Sequence, residues 1–595
     1  MKLINWAIYS WSYLVLVTWW LSAIGELHWW VYRWFVYALV FMSLALAVRE
    51  RNYFLEVLTL AQQRLVALSR LDKLFITSAL SVWIFFTGYV LVSIFVNPPF
   101  NWDSMTYHLP KIAMASQEGT LWHQEDATVD RINFSPSNSN ILTLAAFSVF
   151  GHDFLVELPQ AVASLAIPLL FIWLGKYAFK QRVKNLVPAS VVLLTTNLYW
   201  NQAISTQNDL VFVFVSLLGL VVLIDFANDP KFRKIITNLI VIALIVGTKF
   251  SGFVFGGLLF LALYYLVFKN REKLKKQVSE KRDLYSALIM LIVTLVSTIV
   301  IALPNYIIAQ IEYGSFLYQP PGVSEQMSIG PETFIVNMEH FGKWFYDFPS
   351  TEVYFSETVG HPGYFFQFAL PFLAIISLFF LRKLDTKMLL SIFVVFGFVF
   401  IFLFAHKPDP WDYRLMFIGP LAVMFATTSY LFQLRAKEFR VGILVILVIL
   451  CAFTFLSLRH RYLPELRIGV EHLVEGKGFY YSGRRVPWYP TAGLIQERFD
   501  NSDPENILLM SNQNDAWIYH VFGERWQNSV TQTREYDLPK YLEQSETEFD
   551  YIFVNVAAIR SRENRDEKLI PPKNAKLLLE DSYSLVYEVD GQDDR

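Results

Sequence analysis

Apolar runs long enough to cross a bilayer constrain this chain more than any other feature. A spanning helix needs about 20 residues, fewer where neighbours bury its ends. Such runs lie near 6–24, 29–48, 75–96, 155–178, 186–204, 208–227, 235–248, 250–268 and 285–310, then near 363–381, 388–405, 414–434 and 441–457. The sequence thus predicts a polytopic α-helical membrane protein of about thirteen spans. Composition agrees. Soluble domains carry roughly 25% charged residues; this chain carries 17% and is 17% aromatic, which suits lipid-facing helices and interfacial belts. With 50 basic and 52 acidic residues and no basic block, nucleic acid is not an expected partner. Cys451 is the single cysteine, so neither a disulfide framework nor a Cys-ligated metal site is available. Lys2 precedes an apolar run without a small-residue cleavage site, so 6–24 is expected to be a retained span.

Charge is partitioned along the chain. Of 102 charged residues, 41 fall between Arg459 and Arg595. This predicts three parts: an N-terminal two-span addition with a cytoplasmic loop (1–74), a transmembrane catalytic core (75–457) with outer segments 97–154 and 311–362, and a soluble C-terminal domain (458–595). In that tail the apolar runs Ile507–Met510, Tyr551–Val556 and Leu585–Val589 suggest the strands of a small α/β domain.

Basic loops orient the spans. Arg49 to Lys73, Lys176 to Lys184, Lys231 to Lys234, Lys269 to Arg282, Arg382 to Lys387 and Arg435 to Arg440 all fall on one side if the thirteen runs alternate. That side, with the N-terminus, is expected to be cytoplasmic in a cell (inner) membrane, and the two long segments and the tail extracytoplasmic. Residues 235–268 are flanked by basic loops at both ends. At 1.5 Å per residue they give about 51 Å of helix, against about 60 Å for two crossings. The hairpin must turn inside the membrane at Thr248-Lys249-Phe250-Ser251-Gly252, which places Lys249 at depth, where a lysine usually faces a wet cavity or an anion.

Candidate chemistry collects where charge is out of place. Asp103, in Trp102-Asp103-Ser104-Met105-Thr106-Tyr107-His108-Leu109-Pro110-Lys111, directly follows a span. It reads as a general base at a cavity mouth or as a helix N-cap, and the two are compatible. Tyr107 and Lys111 share its helical face, although Pro110 is expected to interrupt a helix there; His108 reads as a surface histidine or as part of the site. Asp209, in Ser205-Thr206-Gln207-Asn208-Asp209, reads as a cap, a second acid, or with Asp103 a ligand for a divalent metal ion, the one cofactor considered. No metal-binding spacing motif supports the last. His361 stands in an outer segment, and Arg414 opens a span from outside, to clamp a phosphate or to snorkel to headgroups.

These residues resemble a known family. The Trp102–Lys111 segment resembles the first outer-loop motif of GT-C type membrane glycosyltransferases, similar to the protein O-mannosyltransferases and the lipid A aminoarabinose transferase (glycosyltransferase family 39). The 205–209 turn resembles a second acidic motif, Gly247–Gly252 the lysine-bearing hairpin, and Arg414-Leu415 with Gly419-Pro420 the late-span motif, over roughly 75–457. Three departures stand out: a single acid in the first motif, Glu157 where many relatives have arginine, and Leu415 where tyrosine is common. The resemblance implies a GT-C-like core and transfer of a sugar from a polyprenyl-phosphate donor to a hydroxyl of a glycan, lipid or protein. Asp103, His108 and Asp209 would be catalytic; Tyr107, Lys111, Gln207, Lys249, His361 and Arg414 would bind substrate. A transporter or flippase of an anionic lipid or solute would use the same Lys249 and Arg414 without chemistry at Asp103, and a scaffold would use the tail to bind partners.

Overall fold

The computed structural model describes residues 1–96, 99, 101–277, 281–316, 386–405, 418–433, 437–474, 504–511, 518–523, 525–533, 538–545, 548–555, 574–580 and 584–589. Six helices there are long and apolar enough to cross a membrane, or seven counting one pair bent by 56°. The chain is therefore a polytopic helical membrane protein. Twelve of the thirteen apolar runs fall wholly or largely on described residues, and their described parts are mainly helical; the run near 363–381 lies outside them. They include α1 (Lys2–Ala23), α2 (Trp29–Arg49) and, after the short α3 (Arg51–Val66), α4 (Arg70–Val96).

Two regions differ from the expected pattern. The segment 97–154 is not an open loop. It holds a helical stretch from Trp102 that continues as α5 (Leu109–Glu118), a short α6 (Arg131–Phe134) and α7 (Asn138–Phe150). With 13 residues, about 20 Å, α7 is too short to register as a span. After α8 (Leu158–Tyr177), the run near 186–204 is broken into α9 (Val183–Ser190), a 3-10 segment (Val191–Thr195) and α10 (Asn197–Ala203).

Next comes α11 (Asp209–Asn228), apolar on every face and almost wholly buried; a helix of that kind belongs at the centre of a bundle. The hairpin of α12 (Phe232–Val246) and α13 (Gly252–Lys269) follows, then α14 (Arg271–Gln277) and the bent pair α15 (Lys281–Ala302) and α16 (Pro304–Tyr313). Further helices cover Thr386–Ala405, Ile418–Leu431 and Lys437–Val474.

Ends that carry basic clusters come together. Asp72, at the start of α4, accepts from Lys184 and Arg440, each at 2.8 Å, and is itself 4% exposed. Lys2 pairs with Glu50, and Gln277 bonds the Pro230 carbonyl. The start of α1 thus joins the end of α2, and the starts of α4, α9 and the 437–474 helix share one end of the bundle.

The tail carries a five-stranded mixed sheet of β1 (Asn506–Met510), β2 (Ser529–Thr533), β3 (Tyr551–Asn555), β4 (Ala575–Glu580) and β5 (Ser584–Val589), in the order β2-β1-β3-β5-β4. β1 pairs in parallel with β2 and β3, and β5 runs antiparallel to β3 and β4. Three of these strands coincide with the apolar runs of the tail. The sheet seats on the 97–154 helices. The Trp526 ring stacks on Phe147 at 3.5 Å and 3°, the Tyr519 hydroxyl donates to Asp153 at 2.9 Å, and Thr128 bonds Ser511 and Gln532.

Candidate active site

The helix that bears Asp103 begins at Trp102 and runs through Pro110 without a break, because one turn is wider than an α-turn. Residues Ser104–His108 form a π-turn, with the Leu109 amide bonded back to the Ser104 carbonyl. Such a turn accommodates proline, which has no N–H to place in the ladder. Asp103 is in helical conformation, makes no side-chain cap bond and is 6% exposed. Capping therefore does not account for it. Its carboxylate instead lies 3.8 Å from the guanidinium of Arg131, which also sits 5.1 Å over the Tyr107 ring. His108 is buried against Tyr107 and pairs through Nδ1 with the Asn140 side chain at 2.9 Å. One turn on, Lys111 is 1% exposed and donates to the Ser135 carbonyl at 2.6 Å; burial pulls its pKa down to about 7.

Asp209 is the first residue of α11, buried, and paired with Lys249. Lys249 reaches it from the turn between α12 and α13. These helices have 15 and 18 residues, about 22 and 27 Å, so together they fall short of the roughly 60 Å of two full crossings. The tight turn depends on two glycines. A Cβ at Gly247 would overlap Asn138 and the Ile301 carbonyl, and one at Gly252 the Ile245 carbonyl.

Hydrogen bonds join the three segments. The Thr206 amide donates to Ser104 Oγ at 3.0 Å, next to Asp103, and Asn208 Nδ2 donates to the Thr248 carbonyl at 3.1 Å, next to Lys249. Thr206 and Asp209 are separated by at most about 11 Å of chain. Around them, the Asn138 amide donates to the Gly247 carbonyl, Asn138 Nδ2 to that of Ile301, and the Tyr306 hydroxyl to that of Val246.

The structure thus brings Asp103, His108, Lys111, Gln207, Asp209 and Lys249 into one buried polar region, with Tyr107 half-buried beside Asp103; His361 and Arg414 lie outside the described residues. Sequence reasoning missed Arg131 and Asn140, which sit in a segment without periodicity. On the joined segments Ser135 Oγ, Ser137 Oγ, Asn140 Nδ2, Thr206 Oγ1, Ser251 Oγ and Asn305 Nδ2 have no protein partner among the described residues. An unmet buried polar group costs about 1–3 kcal/mol, so these atoms call for partners beyond the described residues, such as ordered water or a polar ligand. Among the described residues no group of three or more His, Cys, Asp or Glu is placed to hold a metal ion. With Asp209 committed to Lys249, the Asp103/Asp209 pair makes a poor cation ligand set.

No family model and no curated protein matches the chain. Solved structures to which it is similar include ArnT from Cupriavidus metallidurans bound to undecaprenyl phosphate, at 15% identity and a TM-score of 0.48, covering 86% of this chain and 97% of that one. Another is the archaeal oligosaccharyltransferase AglB from Archaeoglobus fulgidus in complex with an inhibitory peptide and a dolichol-phosphate, at 13% identity and 0.38, covering 80% and 69%. Likenesses of this size assign no activity.

Proposed function

We propose that this chain is an inverting membrane glycosyltransferase of the GT-C type. It moves a sugar from a polyprenyl-phosphate donor to a hydroxyl of a glycan, lipid or protein on the outer face of the membrane. One observation carries the reading: a buried carboxylate with no capping role, Asp103, shares a hydrogen-bonded junction with the buried Lys249–Asp209 pair. The family resemblance of the same three segments supports it, as do the hydroxyls and amides around them that have no partner among the described residues.

In this proposal about thirteen spans put the N-terminus and the basic clusters in the cytoplasm. The 75–457 core holds the site, and the 458–595 domain lies outside, over it. The convergence of basic ends on Asp72, and the seating of the sheet on α5 and α7, support that orientation.

Asp103 removes the proton of the acceptor hydroxyl, whose oxygen attacks the anomeric carbon from the face opposite the lipid phosphate. The new C–O bond forms as the bond from that carbon to the phosphate oxygen breaks, and the phosphate leaves with the electron pair. Lys249, aimed by Asp209, faces the developing negative charge, where a fixed cation in a dry site is most effective. Arg131 holds the Asp103 carboxylate in place, and the proton passes from Asp103 to water. A single displacement inverts the anomeric centre. His361 and Arg414 keep their expected substrate-binding roles, Arg414 as the second phosphate cation.

The test is release of polyprenyl phosphate by purified protein given a panel of polyprenyl-phosphate-linked sugars. Asp103→Asn should lower turnover about 100- to 10,000-fold while donor binding persists. Wild-type-like turnover by Asp103→Asn would remove the base assignment. Vesicle experiments that show donor crossing the bilayer without transfer would favour a flippase.

A further inference from the structure

We infer that four buried side-chain amides form a relay that sets the position of Asp103 relative to Asp209; the inference rests on the transferase reading. The relay begins at the backbone amide of Val211, two residues after Asp209, which donates to Gln160 Oε1 at 2.8 Å. Gln160 Nε2 donates to Gln202 Oε1 at 3.2 Å, Gln202 Nε2 to Gln207 Oε1, and Gln207 Nε2 to Asn101 Oδ1. Asn101 closes the relay, because its own carbonyl accepts the Met105 amide at 3.0 Å, the first-turn bond of the helix that carries Asp103.

All four side chains are at least nine-tenths buried: Gln160 1%, Gln202 0%, Gln207 2% and Asn101 3% exposed. The three glutamines each accept at one end of the amide and donate at the other, so the relay has a direction. Reversing one amide requires reversing its neighbours. Chained hydrogen bonds in a low-dielectric interior polarise one another and stiffen the path. The chemistry suits the place. A charged tie beside Asp103 and Lys249 would carry a large desolvation cost and alter the field at both, whereas neutral amides fix distance without adding charge. The sequence placed Gln207 with the substrate-binding residues; the relay assigns it to positioning, since both ends of its amide are spent on protein. Gln160, Gln202 and Asn101 join it as positioning residues, spread over α8, α10 and the entry to the Asp103 helix.

The test starts with Gln202→Met, which keeps length and volume but breaks both amide bonds. Turnover should fall about 10- to 100-fold with the donor KM changed less than about 3-fold, because a misplaced base raises the barrier without weakening ground-state binding. A cycle on Gln160→Met and Asn101→Ala examines the two ends of the relay. Independent sites give multiplying losses; a relay predicts a double variant within about 3-fold of the worse single one. Amide hydrogen exchange over 101–109 should speed up at least about tenfold in Gln202→Met, a readout that does not depend on knowing the sugar. If Gln202→Met does not fold, Gln160→Met takes its place in each measurement. Multiplying losses, a KM-only effect or unchanged exchange would overturn the relay. Those results with an active wild type leave the transferase reading standing, whereas a wild type inactive on every donor removes that reading and leaves exchange to decide the relay.

Discussion

The Asp209–Lys249 pair separates a structural role from a catalytic one. Its side chains are 2% and 10% exposed, so the Asp209 carboxylate depends on the ammonium of Lys249 to balance its charge. Lys249→Met strands the carboxylate and Asp209→Leu removes the anion beside the ammonium; either should cost about 3–5 kcal/mol, the usual penalty for breaking a buried pair. Replacing both partners with apolar side chains removes the stranded charge as well as the attraction, so the double variant should recover to within about 1 kcal/mol of wild type. Thermal unfolding in detergent measures this, with single variants melting well below wild type and the double close to it. Sugar transfer should behave differently. In the proposed mechanism the cation faces the leaving phosphate, so Lys249→Met and the double variant should both remain about 100- to 1,000-fold slow. A stable double variant that transfers sugar at near wild-type rate would refute the phosphate assignment and leave the pair a packing device. A Lys249→Met protein with unchanged melting would refute the premise that the carboxylate is stranded.

Lys111 and the tail give two further expectations. Burial sets the Lys111 pKa at about 7 in the folded protein against 10.5 free. Between these values the unfolded chain holds the proton and the folded one does not, so stability rises with pH. Wild type should gain about 1.4 kcal/mol between pH 6 and pH 8 from this group, and Lys111→Met should lack that part of the slope; parallel melting curves for the two proteins would refute the burial argument. Trp526→Ala removes the stack on Phe147 and the 3.0 Å bond from Nε1 to the Tyr519 hydroxyl. Limited proteolysis should then release the sheet at least about tenfold faster, with loss of transfer, and unchanged release would show that the seat does not depend on this side chain.

What the sequence made legible follows from the kind of signal each feature leaves. Spans are legible because a bilayer demands a long apolar run, and Lys249 and Asp209 because charge beside such runs is conspicuous. Arg131 left no signal, since an arginine in a polar segment is ordinary until the fold brings it within 3.8 Å of Asp103. The relay was invisible for a different reason. Glutamine has no charge, and Gln160 lies within the apolar run of α8, separated by 42 residues from its partner Gln202. Pro110 misled because the expectation of an interrupted helix assumes α-turns throughout, and a π-turn removes the conflict.

The breaks in the helices locate the site without any motif. Irregular backbone at membrane depth survives only where protein or a wet cavity meets its hydrogen-bonding groups. The turn between α12 and α13 frees the carbonyls of Val246, Gly247 and Thr248. They are met by the Tyr306 hydroxyl, the Asn138 amide and the Asn208 side chain, from three other breaks: the bend before α16, the start of α7 and the turn before α11. The π-turn below Asp103 joins through Ser104 and Thr206. Each break is costly alone and satisfied by the others, so the breaks must converge. Where they converge, polar backbone, side-chain amides and the Lys249–Asp209 pair make a polar environment inside the helices, the setting that the proposed sugar-phosphate chemistry requires. On the proposed function, this convergence is what lets the acid at Asp103 and the cation at Lys249, 146 residues apart in the chain, serve one site.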